Sequence, residues 1–398
     1  MVQPSTLLTV LATGATLIRA HPGQSDESKF QELRKRSEYI SQLDKRDLKH
    51  CVGELSKRGE YHGMVSRRQE KLKALRRAKG FEEHAPHYKA KRQNLFSAMA
   101  TYFGFGGSSA ALQKSHKSNL TIADFSRPDW AMLGQNKTIV LHPEVTEGPY
   151  YVSGEKIRKN VKDGQAGVDL HLDIQVINMA TCSPISGGVY SGVVDPMNGG
   201  AKAASTTNII NNQALRGFQI TDNDGAIEFE TIIPGHYRGR AHHIHIATHL
   251  NTSIQSNLTI ASGSGQILHV GQLYLDQDLL NLVEKQDPYR SNQAPLTLNK
   301  EDALLMQGSA GGADPVLEYV LIGKEVGDGV FGWINFGVDI NAKRKMRAAS
   351  ACDEGGCRTM EGGWGVAWDM FKGWFGFGNV PKGEAVAGGG NVNAAVMR

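Results

Sequence analysis

The chain has 398 residues, of which 40% are hydrophobic and 21% charged, so it can bury a core but not along its whole length. No stretch approaches the roughly 18 apolar residues that a membrane-spanning helix requires, so no membrane span is expected. The net charge of +4 is unevenly distributed, because residues 26–92 hold 19 of the 44 basic residues and only 11 of the 40 acidic ones. This basic segment lacks a nucleic-acid recognition motif, so nucleic-acid binding is not expected.

Residues 1–20 resemble a secretory signal peptide. The stretch 7–17 is apolar, and the residues up to Ala20 resemble those that precede a signal-peptidase cut. An apolar chain end without a targeting role is the alternative. Four acceptor sequences for N-glycans agree with export; they lie at Asn119, Asn136, Asn251 and Asn257. The sequence therefore predicts a secreted, extracellular glycoprotein.

Residues 21–100 form a basic segment in which apolar residues recur at helical spacing. This pattern predicts a helical extension exposed to solvent, or a propeptide cut at one of its dibasic pairs, which lie at 35–36, 45–46 and 57–58. The helical stretch 27–95 could pair two subunits, which leaves a homodimer open. Residues 101–140 begin Gly- and Ser-rich and predict a linker.

Residues 342–398 combine tryptophans with many glycines and predict a low-complexity tail. A glycan- or surface-binding role for its tryptophans is the alternative.

The chain has four cysteines, which are Cys51, Cys182, Cys352 and Cys357. In an oxidising compartment they allow two disulfides in three pairings. Cys352 and Cys357 are close enough in sequence for a local loop. The spacing does not fit a zinc ribbon, so structural bridges are favoured and the pairing stays open.

Residues 141–341 have the texture of a mainly β domain. Apolar and polar residues alternate over 168–176, which predicts a half-buried strand. A tight turn at Asp224 precedes a second alternating stretch, in which Ile227 and Phe229 are expected to face inward. Further strands are expected at 266–275, 316–322 and 330–340, and a short helix at 278–285. Together these elements predict an antiparallel β-sandwich.

Five of the 14 histidines lie between residues 236 and 249. His243 and His245 are two residues apart in an expected strand, so their rings lie on the same face and can share one metal ion. Tyr237 precedes them beside a Pro-Gly turn, which makes the pattern more specific. Three further histidines are expected to be neighbours of the metal and not ligands: His236, His242 and His249.

Several motifs in chain order resemble those of the intradiol ring-cleavage dioxygenases, in particular the secreted fungal branch. They are TEGPYY (146–151), LHLDI (170–174), GVYSG (188–192), RGFQ (216–219), TD (221–222), PGHYRGRAHHIH (234–245) and HVGQ (269–272). The resemblance covers roughly residues 140–341. It implies a catecholic substrate, O2 as the second substrate, and iron as the cofactor.

In that family a ferric ion is held by two tyrosines and two histidines. The matching motifs carry these roles onto Tyr190, Tyr237, His243 and His245. Phenolate oxygens are hard donors that favour Fe(III), and two imidazoles leave room for a further ligand. The resemblance also implies that Tyr237 is displaced by the substrate, that Arg240 stabilises developing negative charge, and that Gln272 lines the substrate pocket.

The resemblance thus implies a secreted, Fe(III)-dependent intradiol dioxygenase that inserts O2 into catechol-type rings and gives cis,cis-muconate-type diacids. One alternative is a non-catalytic secreted β-sandwich that binds a partner and keeps a vestigial metal site. Another is a histidine-rich extracellular protein that binds copper or zinc.

The segment between Cys182 and Tyr190 departs from the family pattern. In the family, the strand that leads to the first tyrosine ligand carries a tryptophan and, in the fungal branch, a nearby cysteine. Here only residues 183–189 separate Cys182 from Tyr190, and this segment has neither. The sequence therefore predicts that a core strand before Tyr190 is missing. We expect the chain as written to be unstable or iron-poor, through a gene-model error or through loss of activity.

Overall fold

The structure is a computed structural model, and it describes part of the chain. The described residues are 49–81, 110–113, 115–118, 152–187, 189–194, 214–237, 239–261, 264–309, 313–343, 350–353 and 356–359. The predicted signal peptide, the TEGPYY motif, most of the expected linker and the tail beyond residue 359 lie outside these ranges.

Five α-helices lie in the described ranges: α1 (Lys49–Lys57), α2 (Glu60–Ala78), α3 (Ala110–Gln113), α4 (Gln277–Val283) and α5 (Ala303–Gly308). Single-turn 3-10 helices lie at Tyr289–Ser291, Asn299–Glu301 and Val326–Asp328. Among the described helices, none has both the length and the apolar character required to cross a bilayer.

Strands dominate the described chain, which confirms a mainly β architecture. They are β1 (Val152–Ser153), β2 (Asp169–Asn178), β3 (Val189–Val194), β4 (Arg216–Ile220), β5 (Ala226–Ile232), β6 (His243–Leu250), β7 (Gln266–Tyr274), β8 (Glu318–Leu321), β9 (Val330–Val338), β10 (Ser350–Asp353) and β11 (Gly356–Thr359). Two sheets have four strands each, in the orders β5-β2-β9-β8 and β4-β3-β6-β7, and a third has the order β1-β10-β11.

The strand pairing is mixed, so the expectation of purely antiparallel sheets is wrong. β2 pairs with β5 in antiparallel and with β9 in parallel orientation. A parallel pair needs a long crossover connection. The chain between β2 and β9 contains all four strands of the β4-β3-β6-β7 sheet.

One apolar core draws residues from both four-stranded sheets. It includes Leu170 and Ile174 of β2, Ile244 and Ile246 of β6, and Leu268 of β7. Successive side chains of a strand point to opposite faces. Because Ile244 and Ile246 are buried in this core, His243 and His245 lie on the other face of β6.

Strand β2 is buried on both faces and not on one. Its apolar face is fully covered, as expected, but Asp173 on the other face also has no exposed surface. Helix α2 covers that second face. Arg68 of α2 donates from Nε to Asp173 Oδ1 at 2.6 Å and from Nη2 to Asn335 Oδ1 of β9 at 2.7 Å.

Helix α2 is therefore packed on the sheet, and the expectation of a solvent-exposed extension is wrong for residues 60–78. Arg68 and Arg76 are 0% and 1% exposed. Burial lowers the pKa of Arg68 to about 10, although Asp173 opposes this shift, so the guanidinium stays charged at neutral pH. The pattern of apolar residues did not predict this packing, because the buried face of α2 also carries arginines, which pair with carboxylate and carbonyl oxygens of the β domain.

A disulfide joins Cys51 of α1 to Cys182, which follows β2. It selects one of the pairings that the sequence left open, and the backbone of β10 and β11 places Cys352 directly opposite Cys357. Because the bond ties the N-terminal helices to the β domain, a chain cut at the dibasic pair 57–58 would keep its segment with Cys51 attached.

Strand β3 carries Tyr190, the residue before which the sequence predicted a missing strand. It lies between β4 and β6 and pairs antiparallel with both. Among the described residues between Cys182 and β3 there is no further strand. That a core strand of the family pattern is missing there stays a prediction.

Residues 115–118, expected as part of a linker, dock against the edge of β8. Tyr319 N donates to His116 O at 3.1 Å, and Ser118 N donates to Tyr319 O at 2.8 Å. The buried His116 ring lies between two carboxylates, with Nδ1 2.5 Å from Asp276 Oδ1 and Nε2 2.9 Å from Asp314. Burial alone would lower the pKa of His116, but these carboxylates raise it to about 10.

We predict that His116→Gln lowers the free energy of unfolding by about 3 kcal/mol at pH 6, because it leaves two carboxylates without their buried cation. Since the folded pKa is raised to about 10, this stabilisation is complete below the unfolded pKa of about 6.5 and is lost as the pH rises through 10. Urea unfolding at pH 6 and pH 9 measures both effects. The exposed His62→Gln is the matched control, and equal losses in the two variants at both pH values would contradict the assignment.

Candidate metal centre

A tight turn positions the residues that precede β6. Tyr237 and Arg240 face each other across this turn, in which Arg240 N donates to Tyr237 O at 3.1 Å. Gly239 has a φ of 85°, a backbone conformation that favours glycine. The turn brings the Tyr237 side chain back over the first residue of β6.

Three of the predicted ligands converge at the start of β6. The hydroxyl of Tyr237 lies 3.4 Å from Nε2 of His243, and that nitrogen lies 3.2 Å from Nε2 of His245. His243 and His245 are 2% and 9% exposed. The prediction that alternation places the two imidazoles on one face is confirmed, and Tyr237 joins them from the turn.

The surroundings of His243 leave Nε2 as its coordinating atom. Nδ1 lies 2.6 Å from the carbonyl oxygen of Ala241, which can only accept, so Nδ1 carries the proton. Burial and then the positive charge of Arg240 hold the pKa of His243 well below its ordinary value. The ring is therefore neutral, with a lone pair on Nε2 directed at the space shared with Tyr237 and His245.

Arg240 lies beside these donors in a buried polar network. Its Nη1 lies 3.5 Å from the hydroxyl of Tyr237, at the outer limit of a hydrogen bond. Its Nη2 donates to Gln272 Oε1 and to the hydroxyl of Tyr274, the latter at 3.0 Å. Gln272 is placed by β7, where it pairs directly with His245. The structure thus brings Arg240 and Gln272 to the cluster of Tyr237, His243 and His245, called the Tyr237 cluster below.

Asp302 holds Arg240 in place. Its Oδ2 accepts from Arg240 Nε at 3.0 Å and from the backbone N–H of Ala241 at 2.8 Å. Its Oδ1 accepts from the first backbone N–H groups of α5, at Leu304 and Leu305. Burial alone would lower the pKa of Arg240, but the Asp302 carboxylate raises it, so the guanidinium is permanently charged.

Tyr274 completes the network and was missed from the sequence. Its hydroxyl donates to Gln272 Oε1 at 2.7 Å and accepts from Arg240. Burial, and then the nearby Asp302 carboxylate, raise the pKa of Tyr274 well above its ordinary value, so the phenol stays protonated. A sequence signal existed, because Tyr274 is two residues from Gln272 in the same strand and so shares its face.

Tyr190 is the second residue of β3. Its backbone pairs with Thr248 of β6, whereas Val193 is the residue that pairs with His245. The register therefore sets Tyr190 opposite neither histidine of the centre. Its side chain is outside the described part of the structure, and its role as a ligand stays a prediction.

Three other polar side chains form a second cluster. Oε1 of Glu284 lies 2.9 Å from His236 Nδ1 and 2.7 Å from His242 Nε2. Burial opposes ionisation of Glu284, but the two imidazoles hold its pKa at about 2. The sequence predicted His236 and His242 as neighbours of the centre. It gave no signal for Glu284, which lies at the end of α4, far from both in sequence.

No protein-family model matches the chain, and no curated protein does. Among solved structures, an intradiol ring-cleavage dioxygenase from Tetranychus urticae is 22% identical with a TM-score of 0.43, over 52% of this chain and 98% of that one. The dioxygenase domain of a carbohydrate-binding fusion protein from Streptomyces sp. SirexAA-E is also 22% identical, with a TM-score of 0.33, over 50% and 99%. Catechol 1,2-dioxygenase from Pseudomonas arvilla C-1 is 16% identical with a TM-score of 0.35, over 52% and 67%. At these identities and TM-scores the likeness carries no argument about activity.

We predict that Asp302→Asn lowers the free energy of unfolding by about 3 kcal/mol, because it leaves the buried guanidinium of Arg240 without its counter-ion. Urea unfolding measures the change. Asp287→Asn is the matched control, since Asp287 pairs with Arg290 in a pair that is about two-thirds exposed, and such pairs contribute little. Equal effects of the two substitutions would contradict the role given to Asp302.

Proposed function

We propose that this protein is a non-haem ferric intradiol dioxygenase that cleaves catechol-type rings with O2. The observation that carries the proposal is the convergence of three donor atoms beside the buried Arg240. The Tyr237 hydroxyl lies 3.4 Å from His243 Nε2, which lies 3.2 Å from His245 Nε2. The motif resemblance of the sequence names the same residues. The reaction products would be cis,cis-muconate-type diacids.

The donor set of Tyr237, His243 and His245 fits ferric iron. A phenolate oxygen is a hard anionic donor, and neutral imidazoles are suitable partners for it on iron. His243 is held neutral, with its proton on the nitrogen that faces away from the centre. Tyr190 is proposed as a fourth ligand by the motif match alone.

When bound, ferric iron supplies the Lewis acidity that makes a catecholic ring reactive toward O2. The chain's own residues then have separate tasks. Arg240 keeps its positive charge beside Tyr237, where it favours the deprotonated phenol and the negative charge that develops on a bound ring.

Gln272 is suited to orient the substrate. Its Oε1 accepts from Arg240 and Tyr274, which directs the amide nitrogen away from both. Within the described residues that nitrogen is buried and has no hydrogen-bond partner. A buried donor without a partner is costly, and an oxygen of the substrate would satisfy it.

The competing functions differ in the metal that they require. A non-catalytic β-sandwich with a vestigial site would bind no iron, and a copper or zinc protein would take those ions at His243 and His245. The position of Arg240 favours the dioxygenase, because a cation beside Tyr237 stabilises negative charge on a bound ring.

We predict that Tyr237→Phe weakens the visible absorption of the iron-loaded protein, because this band arises from charge transfer between phenolate and ferric iron and one phenolate is lost. The ring remains, so the domain stays folded. Absorption spectroscopy with parallel circular dichroism measures both. Tyr319→Phe, a buried tyrosine of β8 outside the centre, is the matched control and keeps the band. A wild-type protein that is colourless with iron, or that takes only zinc or copper, would refute the proposed ligand set.

We also propose that the β domain is a sandwich, because one apolar core draws residues from both four-stranded sheets. Residues 1–20 and the N-glycan sequences support a second proposal, that the protein is exported from the cell. Asn251 and Asn257 are exposed, as glycan acceptors must be. The mature chain is then expected to start at or after His21 and to carry glycans, which mass spectrometry of protein from the native source measures. An unglycosylated chain in the cytosol that still begins at Met1 would overturn this expectation.

A further inference from the structure

The cluster of His236, His242 and Glu284 lies outside the set of residues proposed to hold iron. One ligand atom from each residue lies within 4.8 Å of the other two. His236 and His242 are 3% and 1% exposed, and the Glu284 side chain is 17% exposed. A buried group of two imidazoles and one carboxylate is a different feature from the acidic clusters common on protein surfaces.

The hydrogen bonds of His236 require a cation at this position. Nε2 lies 2.8 Å from the carbonyl oxygen of Ala294, which can only accept, so Nε2 carries a proton. Nδ1 then faces the Glu284 oxygen at 2.9 Å. Two lone pairs would repel each other at this distance, so either a second proton or a metal ion must lie between them.

His242 brings a second imidazole nitrogen to the same carboxylate oxygen. Its Nε2 faces the same Glu284 oxygen, so one oxygen meets two imidazole nitrogens. Its Nδ1 is buried and has no hydrogen-bond partner in the described part of the chain. Nδ1 stays without a partner whether Nε2 donates a hydrogen bond or binds a metal, so the observation that favours a metal ion is the convergence of two buried imidazole nitrogens and one carboxylate oxygen.

We propose that His236 Nδ1, His242 Nε2 and Glu284 Oε1 bind a second metal ion, Zn²⁺, with water as the fourth ligand. Zinc sites with two histidines and one glutamate keep such an open position. Tetrahedral zinc at 2.0–2.1 Å from each ligand spaces the ligands about 3.3 Å apart. The two contacts to Glu284, at 2.7 and 2.9 Å, need to open slightly, and the two imidazole nitrogens, which lie within 4.8 Å of each other, need to reach the same spacing. The partly exposed edge of Glu284 provides access for the ion and the water.

The outer contacts of the cluster suit a metal site. The Ala294 carbonyl fixes the tautomer of His236, as acceptors bonded to the far nitrogen of metal-binding histidines do. Asn292 Nδ2 donates to the backbone oxygen of His236 at 2.8 Å, which ties the same loop to the ligand's main chain.

The zinc ion would lie close in sequence to the proposed iron ligands. His236 is next to Tyr237, and His242 is next to His243, so each zinc ligand adjoins a residue of the Tyr237 cluster. Glu284 follows α4, so the ion would link this helix to the turn before β6. The proposal does not depend on iron being bound or on ring cleavage.

The test measures zinc and iron in the same full-length protein. After dialysis against zinc and removal of free ions, elemental analysis is expected to give about one zinc per chain, with the iron content unchanged. Glu284→Gln removes the anionic ligand but keeps a hydrogen-bond acceptor, and we expect at least a tenfold weaker zinc affinity with the iron-dependent colour retained. Glu54→Gln, on an exposed face of α1, is the matched control and leaves zinc binding unchanged.

Two results would overturn the proposal. One is zinc binding that is equal in the wild type and in Glu284→Gln, and the other is zinc uptake that displaces iron one for one, which would place the zinc at Tyr237, His243 and His245. If Glu284→Gln does not fold, cobalt titration of the iron-loaded wild-type protein decides instead. Cobalt is expected to bind with the absorption of a tetrahedral Co²⁺ ion, and failure to bind would refute the site.

Discussion

The ion pair between Asp302 and Arg240 is the contact on which the geometry of the centre depends. A single buried carboxylate accepts from the Arg240 guanidinium, from the N–H of Ala241 and from the first turn of α5. It therefore fixes α5, the turn before β6 and the Arg240 guanidinium at once. Because buried ion pairs are costly to break from one side, this arrangement makes the position of Arg240 beside Tyr237 a property of the fold.

Alternation along the chain into β6 separates two polar clusters that adjoin in sequence. His243 meets Tyr237 and His245, whereas the preceding residue, His242, meets Glu284. Consecutive residues of an extended segment point in opposite directions, so one short sequence serves two sites. Two peptide bonds, at residues 236–237 and 242–243, therefore join the residues of the proposed zinc site directly to those of the proposed ferric centre.

The sequence predicted those features that depend on local spacing. Alternation located β2 and β5 and placed His243 and His245 together, and the motif resemblance brought Gln272 to the same centre. Features that depend on contacts between distant segments had no local signal. The Cys51–Cys182 bond, the docking of Arg68 on Asp173, and the approach of Asp302 and Glu284 each join residues that lie about 40 to 130 positions apart. The missing strand before Tyr190 stays a prediction, because it depends on the length of a family pattern and not on a contact within this chain.

Incubation of the iron-loaded protein with catechol under ¹⁸O₂, followed by mass spectrometry of the product, tests the proposed function most directly. The account predicts a ring-opened diacid whose mass equals that of catechol plus both atoms of one O2 molecule, with cleavage between the two hydroxyl-bearing carbons. Recovery of unreacted catechol from a protein that is folded and contains iron would contradict it.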